Sequence, residues 1–508
     1  MPQPADSRHE ADDVRISRPI ATTPRPRRWL RWLGVAPSLV AGSAFGWCFA
    51  HLQLWPVQIV ALAWLAHRLH PRTQAFWFGT ADAALFGLAM YGAGLWWIPW
   101  ALIREWPQQP IWPALTILAA VGLMRATVPL VMRGFLLGAR KGWAMILGQP
   151  ISFAAAWTLL EIGCVSALHL PMLSLGYGQI DGPMAGIAPL LGVQGVSFCV
   201  ALIAWLIAEM VRWAMVTRES WPASGYASAT LAVIAFGMAM GFVQWTYSAP
   251  HLIQVAAMQD GLSRVTQYTQ PGQMRALRTT ERWAQQLPGA LLVGSESQIP
   301  ESMLGAAQAA LAASGSTALI GVRLPSTHGW TNSVVAVGAQ GAGYRYDKRM
   351  LIPFGEYTPS GWLGARIGHL LSYTGGDDLQ RGASHQPAFD DHGVSVIPTI
   401  CFENFFPSDA AARMSARQPR ILANLADMAI FSGTPGMAQD VAVNRMLALS
   451  LQTPLARGSN DGTTMLIDSD GRVVLQAPQG VADVLAAEMS PSVGLTPYAR
   501  LVLWMRRR

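Results

Sequence analysis

The chain has 508 residues, of which 52% are apolar and only 13% are charged. Soluble domains typically carry about 25% charged residues, so the composition excludes a wholly soluble protein. The formal net charge of +7 is spread over short basic clusters between apolar runs. A nucleic-acid partner needs a continuous basic face or arm, so we expect no nucleic acid and place the basic residues beside membrane spans.

Nearly continuous apolar runs fill residues 35–247, and a helix needs about 20 such residues to cross a bilayer. They predict a transmembrane domain of about seven helices, at 35–50, 52–69, 76–103, 111–132, 143–173, 184–215 and 227–247. Some runs are too long for one span, so kinks are expected at Pro150 and Pro189. Residues 1–34 are predicted to be a disordered, basic, cytoplasmic N-terminus.

Lysine and arginine favour alternate loops. Positive loops stay in the cytoplasm, so the N-terminus is predicted to lie inside and, after an odd number of crossings, the second half outside. The residues that carry this prediction are Arg25, Arg27, Arg28, Arg31, Arg68, Arg72, Arg133, Arg140, Lys141, Arg212 and Arg218. Within the membrane half, charges are costly, so Asp82, Arg125 and Glu161 are candidate functional residues.

Residues 251–488 show a different pattern. Short apolar runs, predicted as strands, recur at 253–258, 290–293, 317–322, 333–337, 394–400 and 421–425, with predicted helices at 272–286 and 437–451. Alternation of strands and helices is typical of a layered α/β domain. The last run, within 489–508, is too short to span a membrane and predicts a short interfacial tail.

Three segments place polar side chains at the ends of apolar runs: 291–300 with Glu296, 346–359 with Lys348 and Glu356, and 396–407 with Cys401 and Glu403. A thiol nucleophile needs a base, a positive group and a turn that exposes the sulfur. Glu296, Lys348 and Cys401 can supply a base, a cation and a nucleophile. Taken singly, each has an ordinary reading, as a solvated loop side chain or a small core residue.

Together, Lys-x-x-Leu-Ile-Pro-Phe-Gly-Glu-Tyr from Lys348 and Ile-Cys-Phe-Glu around Cys401 resemble the nitrilase superfamily. Within it, they are similar to the apolipoprotein N-acyltransferase family. Residues 175–183 resemble that family's loop between two late membrane helices, and residues 453–462 resemble its segment near the end of the catalytic domain. The resemblance covers nearly the whole chain.

The resemblance implies an α-helical polytopic membrane domain that carries an α/β nitrilase-like αββα sandwich, in the bacterial inner membrane with the catalytic domain in the periplasm. It implies acyl transfer from a phospholipid, through a thioester on Cys401, to the N-terminal amine of a diacylglyceryl-cysteine lipoprotein. Membrane lipids are the other expected partners. No cofactor or metal is expected, because no nucleotide-binding motif and no metal-ligand spacing of histidines occurs in the sequence.

By the same resemblance, Glu296 is the general base, Lys348 holds the oxyanion, and Glu356 and Glu403 orient Lys348 or the incoming amine. Substrate contacts are expected from Phe402, and also from Tyr268 and Asp181. The apolar residues near Cys401 either line an acyl path or form ordinary core, and the sequence leaves both readings open: Phe402, Phe405, Phe406, Ile430 and Phe431.

Several positions depart from the family pattern. Gly294 and Ser295 replace Trp-Pro before the base, Tyr268 replaces a tryptophan, and Cys164 lies near an absent arginine. Residues 424–431 replace an Asn-Asp-Ala-Trp-Phe segment. These departures leave three alternatives: a divergent member linked to conjugal transfer with another acceptor, a scaffold, or a nitrilase-type amidase.

Overall fold

A computed structural model describes residues 36–70, 76–105, 111–132, 143–217, 220–341, 343–359 and 378–507. The predicted disordered N-terminus, at residues 1–34, lies outside them. Of the basic residues used to predict orientation, the same is true of Arg25, Arg27, Arg28, Arg31, Arg72, Arg133, Arg140, Lys141 and Arg218.

The first half is a base of apolar helices: α1 Ala36–Trp47, α2 Trp55–Leu69, α3 Phe76–Leu95, α4 Trp97–Glu105, α5 Trp112–Leu123, α6 Trp143–Leu168, α7 Ala188–Val211 and α8 Ser220–Met240. Among the described residues, four helical stretches are long and apolar enough to cross a membrane, and there are five if α3 and α4, bent by 42°, are counted as one span. The first two predicted spans fall on helices of only 12 and 15 residues. The chain is a membrane protein, and the count of seven spans stays a prediction.

The charged residues of the base have local partners. Asp82 is paired with Arg68 at 3.0 Å. The guanidinium of Arg125 lies 4.3 Å from the centre of the Trp157 ring, and the Nε1 of Trp157 donates to Glu161 at 2.8 Å. These contacts give each charge a packing role, so its burial does not by itself require a functional one.

A break in α7 lies at Gly192, whose φ is +71° and ψ is −172°. Only glycine adopts this region readily. Pro189, where the sequence predicted a kink, instead lies in the first turn of α7, where its missing N–H costs no helical hydrogen bond. The second expected kink residue, Pro150, lies inside α6.

The second half is built on one curled sheet of 14 strands. They are β1 Thr246–Ser248, β2 Ile253–Gln259, β3 Leu291–Val293, β4 Thr317–Ser326, β5 Gly329–Gly338, β6 Arg345–Asp347, β7 Phe389–Asp391, β8 Val394–Ile400, β9 Arg420–Ala426, β10 Leu455–Ser459, β11 Met465–Ile467, β12 Val473–Gln476, β13 Asp483–Met489 and β14 Ser492–Gly494. All six predicted strands overlap observed strands.

A parallel run in the order β8-β9-β10-β2-β3-β4 forms the centre of the sheet. β8 and β9 are buried along their whole length, which explains why they read as continuous apolar runs rather than as alternating patterns. The antiparallel strands β5 and β6 extend one side, and β7 lies beyond β8.

Helices pack on the sheet through two separate apolar clusters. One contains α10 Gln270–Gln286 and α11 Leu304–Ser314, preceded by the short α9 Arg264–Gln267. The other contains α12 Pro407–Ala411, α13 Gly436–Leu451 and α14 Pro497–Arg506. This is the layered α/β architecture predicted for the second half. α14 is the predicted tail; it exposes Leu501, Trp504 and Met505, and its contact with a membrane surface stays a prediction.

Helix α14 packs against the break in α7. A Cβ at Gly192 would lie 2.7 Å from the ring of Tyr498, so the two halves meet where only glycine fits. We predict that Gly192→Ala destabilises the protein by about 1–3 kcal/mol through backbone strain, measured as a lower Tm in detergent. Gly163→Ala in α6, where a Cβ meets nothing within 4 Å, is the control, and we expect no loss there. An equal Tm for both variants would contradict this account.

Candidate active site

The three residues predicted to be catalytic follow three strands that end at one edge of the sheet. Glu296 comes after β3, Lys348 directly after β6 and Cys401 directly after β8. β3 and β8 belong to the parallel run, so their carboxyl ends share an edge, the usual place for ligands in open α/β sheets. β6 points the same way, because it is antiparallel to β5, which is antiparallel to β4.

Lys348 lies between two carboxylates. Its Nζ donates to Glu296 Oε1 at 2.9 Å and to Glu356 Oε1 at 2.8 Å, and its side chain is fully buried. Glu296 and Lys348 both lie close enough to Cys401 for their charges to change the pKa of its thiol. Glu296, Lys348 and Glu356 are therefore in direct contact, and Cys401 lies near them.

Glu356 also fixes the loop that carries it. Its second oxygen, Oε2, accepts from the backbone N–H of Ile352 at 2.9 Å. One carboxylate thus neutralises part of the Lys348 charge and closes the turn that follows it. This contact agrees with the orienting role inferred for Glu356.

Cys401 has an unusual backbone. Its φ is +49°, and it is the first residue of a 3-10 turn, Cys401–Phe405, entered directly from β8. Positive φ is uncommon outside glycine and clusters at functional sites. The sharp change from strand to turn leaves Cys401 half-buried although its strand is fully buried.

Glu403 holds this turn without touching Lys348. Its carboxylate accepts from the N–H of Ile400 at 2.8 Å, from the N–H of Arg349 at 2.8 Å and from the hydroxyl of Tyr346 at 2.9 Å. It therefore ties the end of β8 to the segment around Lys348. The resemblance predicted that Glu403 orients Lys348 or an incoming amine. In the structure, Glu403 instead contacts backbone N–H groups and the hydroxyl of Tyr346.

The charges define the resting protonation state. Burial raises the pKa of Cys401, and so does the negative charge of Glu296, and together they outweigh the lowering effect of Lys348. The pKa of Glu296 is lowered because Lys348 and its hydrogen bonds overcome the opposing effect of burial. The two carboxylates hold the pKa of Lys348 well above its usual range. The resting site is a thiol, a carboxylate and an ammonium.

Asn332 belongs to the site and was not predicted. Its side-chain Nδ2 donates to Glu296 Oε1 at 2.6 Å, and its backbone carbonyl accepts from the backbone N–H of Lys348 at 2.7 Å. It precedes the predicted strand 333–337, and β5 runs antiparallel to β4, so the start of β5 lies where the parallel strands end. The sequence feature that could have identified Asn332 is a polar residue just before an apolar run, rather than just after one.

A buried polar network lies beside the turn that begins at Cys401. Asn424 Nδ2 donates to the hydroxyl of Thr399 at 2.9 Å, and Asn404 Nδ2 donates to Asn444 Oδ1 at 2.5 Å. Arg457, which is fully buried, donates to both Asn424 and Asn444, and its charge lowers the pKa of Cys401. The sequence identified 453–462 only by resemblance and gave Arg457 no role.

Tyr268 reaches the site through the divergent 424–431 stretch. Its hydroxyl donates to Asp427 Oδ2 at 3.3 Å, and the N–H of Asp427 donates to Glu296 Oε2 at 3.1 Å. Phe402 follows Cys401 and packs on Phe405, with ring centres 5.4 Å apart. Tyr268 is thus joined to Glu296 through Asp427, and Phe402 is next to Cys401; the contact of either residue with substrate stays a prediction.

Asp181 lies elsewhere in the contact network. Its carboxylate is paired with Arg445 of α13 at 2.7 Å. The ion pair joins the loop after α6 to the second half of the chain. Asp181 therefore helps to hold the two halves together. Its predicted contact with substrate is untested.

The site edge is joined to the apolar base. The Tyr177 ring meets the Phe405 ring edge to face at 5.6 Å, and the Trp97 ring meets the Phe431 ring at 5.1 Å. Arg104 donates to the carbonyl of Ile430 at 2.6 Å. The aromatic residues beside Cys401 are therefore continuous with the membrane helices.

Comparison with known proteins gives matches over both halves. A model of the apolipoprotein N-acyltransferase N-terminal domain matches residues 41–206, and a carbon-nitrogen hydrolase model matches residues 282–498. A solved CN-hydrolase superfamily protein from Xanthomonas campestris is 17% identical, with a TM-score of 0.36, and the match covers 51% of this chain and 95% of that one.

Three similar proteins are each called apolipoprotein N-acyltransferase. The one from Ralstonia nicotianae is 30% identical over 89% of this chain and 87% of its own length. One from Pseudomonas aeruginosa is 30% identical over 94% of each chain, and one from Pseudomonas putida is 31% identical over 94% of this chain and 95% of its own.

The structure joins a carbon-nitrogen hydrolase domain to a base of apolar helices, and the matched relatives identify this class as a membrane-bound acyltransferase. The relatives identify the family within this class, because each aligns with both the helical base and the hydrolase domain over nearly its whole length. The chain belongs to the apolipoprotein N-acyltransferase family.

The pKa directions predict how Cys401 reacts with a small alkylating reagent. In a variant whose other cysteines, Cys48, Cys164 and Cys199, are alanine, the rate with iodoacetamide should rise about tenfold per pH unit from pH 6 to 9, because the thiolate is the reactive form. Glu296→Gln removes a neighbouring negative charge and should speed alkylation at pH 8, whereas Lys348→Met should slow it.

The matched control is Glu301→Gln, which alters an exposed carboxylate shortly after Glu296 and should leave the rate unchanged. A rate that is already flat at pH 6 would mean a preformed thiolate, and a slower Glu296→Gln variant would contradict the assigned charges.

Proposed function

We propose that the protein moves an acyl chain from a phospholipid, through a thioester on Cys401, to the N-terminal amine of a diacylglyceryl-cysteine lipoprotein. The observation that carries the proposal is the buried Glu296–Lys348 pair near Cys401, in a chain that matches N-acyltransferases over 94% of its length.

The first half-reaction begins with a protonated thiol. Glu296 accepts the proton as the sulfur attacks the ester carbonyl carbon, and the Lys348 ammonium stabilises the oxyanion that forms. When the carbon–oxygen bond breaks, Glu296 returns the proton to the leaving alcohol, and a lysophospholipid departs. The thioester remains on Cys401.

The second half-reaction reverses these roles. The neutral amine of the acceptor attacks the thioester carbonyl, Glu296 takes a proton from the amine, and the sulfur leaves as the carbon–sulfur bond breaks. The proton then passes from Glu296 to the sulfur, which restores the resting thiol. No other co-reactant is required, because one acyl bond is exchanged for another.

Contacts with the base support lipid substrates. Tyr177 and Trp97 pack directly on Phe405 and Phe431, so an apolar surface runs from the membrane helices towards the nucleophile. A water-soluble amide, the substrate of the alternative amidase, needs no such surface. We further propose a bacterial inner-membrane location with the catalytic domain in the periplasm, as the alternation of basic loops predicts.

The two alternatives with other roles differ in the acceptor. A conjugation-linked relative would form the same thioester and pass the acyl chain to another amine or alcohol, and a scaffold would form none. The buried pairing of Glu296 with Lys348 near a thiol favours catalysis over a scaffold role. A scaffold has no need of a buried ion pair, which carries a large desolvation cost.

The test is a transfer assay in detergent with phosphatidylethanolamine and a diacylglyceryl-cysteine peptide, read by mass spectrometry. We expect an N-acylated peptide from the wild type. Cys401→Ala should give none, and Glu296→Gln should lower kcat by about 10²–10⁴-fold, the usual contribution of a positioned base. Glu301→Gln should retain activity. Release of free fatty acid with no acylated peptide would favour the amidase-type reaction instead.

A further inference from the structure

The two carboxylate oxygens of Glu296 have different surroundings. Oε1 accepts from the Lys348 ammonium at 2.9 Å and from Asn332 Nδ2 at 2.6 Å. Among the described residues, Oε2 accepts one N–H, that of the Asp427 backbone, at 3.1 Å. Each carboxylate oxygen has two lone pairs, so Oε1 is fully used and Oε2 keeps one lone pair for a proton. The Asp427 backbone therefore holds the oxygen that is able to act as the base.

Asp427 is itself fixed by its side chain. Its Oδ1 accepts from Asn460 Nδ2 at 2.8 Å and from the N–H of Ala429 at 3.1 Å, and its Oδ2 accepts from Gln267 Nε2 at 2.5 Å. Asn460 and Gln267 are both buried. The bond to the N–H two residues on is an Asx-turn, and it leads into the 3-10 turn Ala429–Phe431. The backbone that binds Oε2 is therefore held at the start of a tight turn.

The membrane base holds the other end of this turn. Arg104 of α4 donates from one guanidinium nitrogen to the carbonyl of Ile430 at 2.6 Å and from another to the carbonyl of Ser432 at 3.1 Å. The guanidinium also lies 5.0 Å from the centre of the Trp100 ring on the same helix. A planar guanidinium that binds two carbonyls fixes both the position and the orientation of the turn. Residues 427–432, here called the linking segment, thus run from the catalytic carboxylate to α4.

Close packing holds α4 against the linking segment. Trp97, the first residue of α4, meets the Phe431 ring edge to face at 5.1 Å, and its Nε1 donates to the carbonyl of Gly94 at 3.1 Å. A Cβ at Gly436, just beyond the segment, would lie 2.9 Å from the Trp97 ring. Because packed groups of this kind have little room to shift, α4 and the linking segment are held in one arrangement.

From this arrangement we infer that Arg104 is a positioning residue for the general base. It acts through the linking segment, whose first N–H holds Oε2 of Glu296 in place. The inference rests on the proposed function, because it assigns the proton of the Cys401 thiol to Oε2. As the sulfur attacks the ester carbonyl carbon, its proton passes to Oε2, and the same oxygen returns it to the leaving alcohol. A residue of a membrane helix thus helps to place the catalytic carboxylate.

The experiment measures the rate of thioester formation on Cys401 against pH, at saturating phosphatidylethanolamine in detergent. Glu296 must be ionised to accept a proton, so the acid limb of this profile reports its pKa. A hydrogen bond to the ionised form lowers a pKa, so loss of the bond from Asp427 raises the pKa of Glu296. In Arg104→Gln, the maximal rate should fall about 10–100-fold, and the acid limb should move up by about one pH unit. Arg104→Lys, which keeps a donor, should recover part of both.

The matched control is Arg445→Gln, which removes a different contact between the two halves. Arg445 pairs with Asp181 of the base at 2.7 Å and donates to the carbonyl of Gly471 at 2.8 Å, away from the linking segment. The acid limb of this variant should stay where it is in the wild type. A rate loss in Arg104→Gln that is equal at every pH would make Arg104 a support for the fold alone and overturn the inference, and so would an unchanged rate.

Hydrogen–deuterium exchange of the folded proteins, without lipid substrate, tests the link separately from the reaction. Amides of the linking segment should exchange about tenfold faster in Arg104→Gln than in the wild type, and at the wild-type rate in Arg445→Gln. Faster exchange in a protein whose wild type forms no thioester would keep the link from α4 to Glu296 and reject the reaction. A thioester formed with the same pH profile by the wild type and by Arg104→Gln would keep the reaction and reject the positioning role.

Discussion

The site depends on the ion pairs of one buried ammonium group. Lys348 lies fully buried between the carboxylates of Glu296 and Glu356. A buried charge is tolerated only when it is paired and hydrogen-bonded, and removal of one partner typically costs about 3–5 kcal/mol. The same pairing keeps Glu296 ionised and therefore able to accept a proton. The pairing with Lys348 both stabilises this edge of the sheet and keeps Glu296 ionised. A substitution of Lys348 should therefore change the stability of the fold and the pKa of Glu296 together.

The rest of the domain keeps Cys401 against that pair. Parallel strands bring the segments to one edge, and Glu403 ties the end of β8 to the backbone after Lys348. The resulting turn places Cys401 at positive φ, a strained conformation that the surrounding hydrogen bonds stabilise. Burial, and after it the charge of Glu296, raises the pKa of the Cys401 thiol, so the proposed reaction requires a proton transfer from the sulfur as it attacks.

Sequence patterns predicted what depends on local composition. Buried parallel strands appear as apolar runs, and Glu296, Lys348 and Cys401 stand at or near the ends of such runs. Asn332 was not predicted because it lies in an antiparallel strand, just ahead of the apolar run, and Arg457 because a buried arginine inside a strand has no local signature. The helix break lies at Gly192 rather than Pro189, and the ring of Tyr498, from the far end of the chain, occupies the space that a Cβ there would need. Roles for the predicted site residues remain proposals.

The most direct test of the central claim is the intact mass of purified protein after incubation with phospholipid, wild type beside Cys401→Ala. The account predicts one added acyl group on the wild type, released by neutral hydroxylamine, and none on the variant. An adduct that survives hydroxylamine, an adduct on Cys401→Ala, or no adduct on folded wild type with several phospholipids would contradict acyl transfer through a thioester on Cys401.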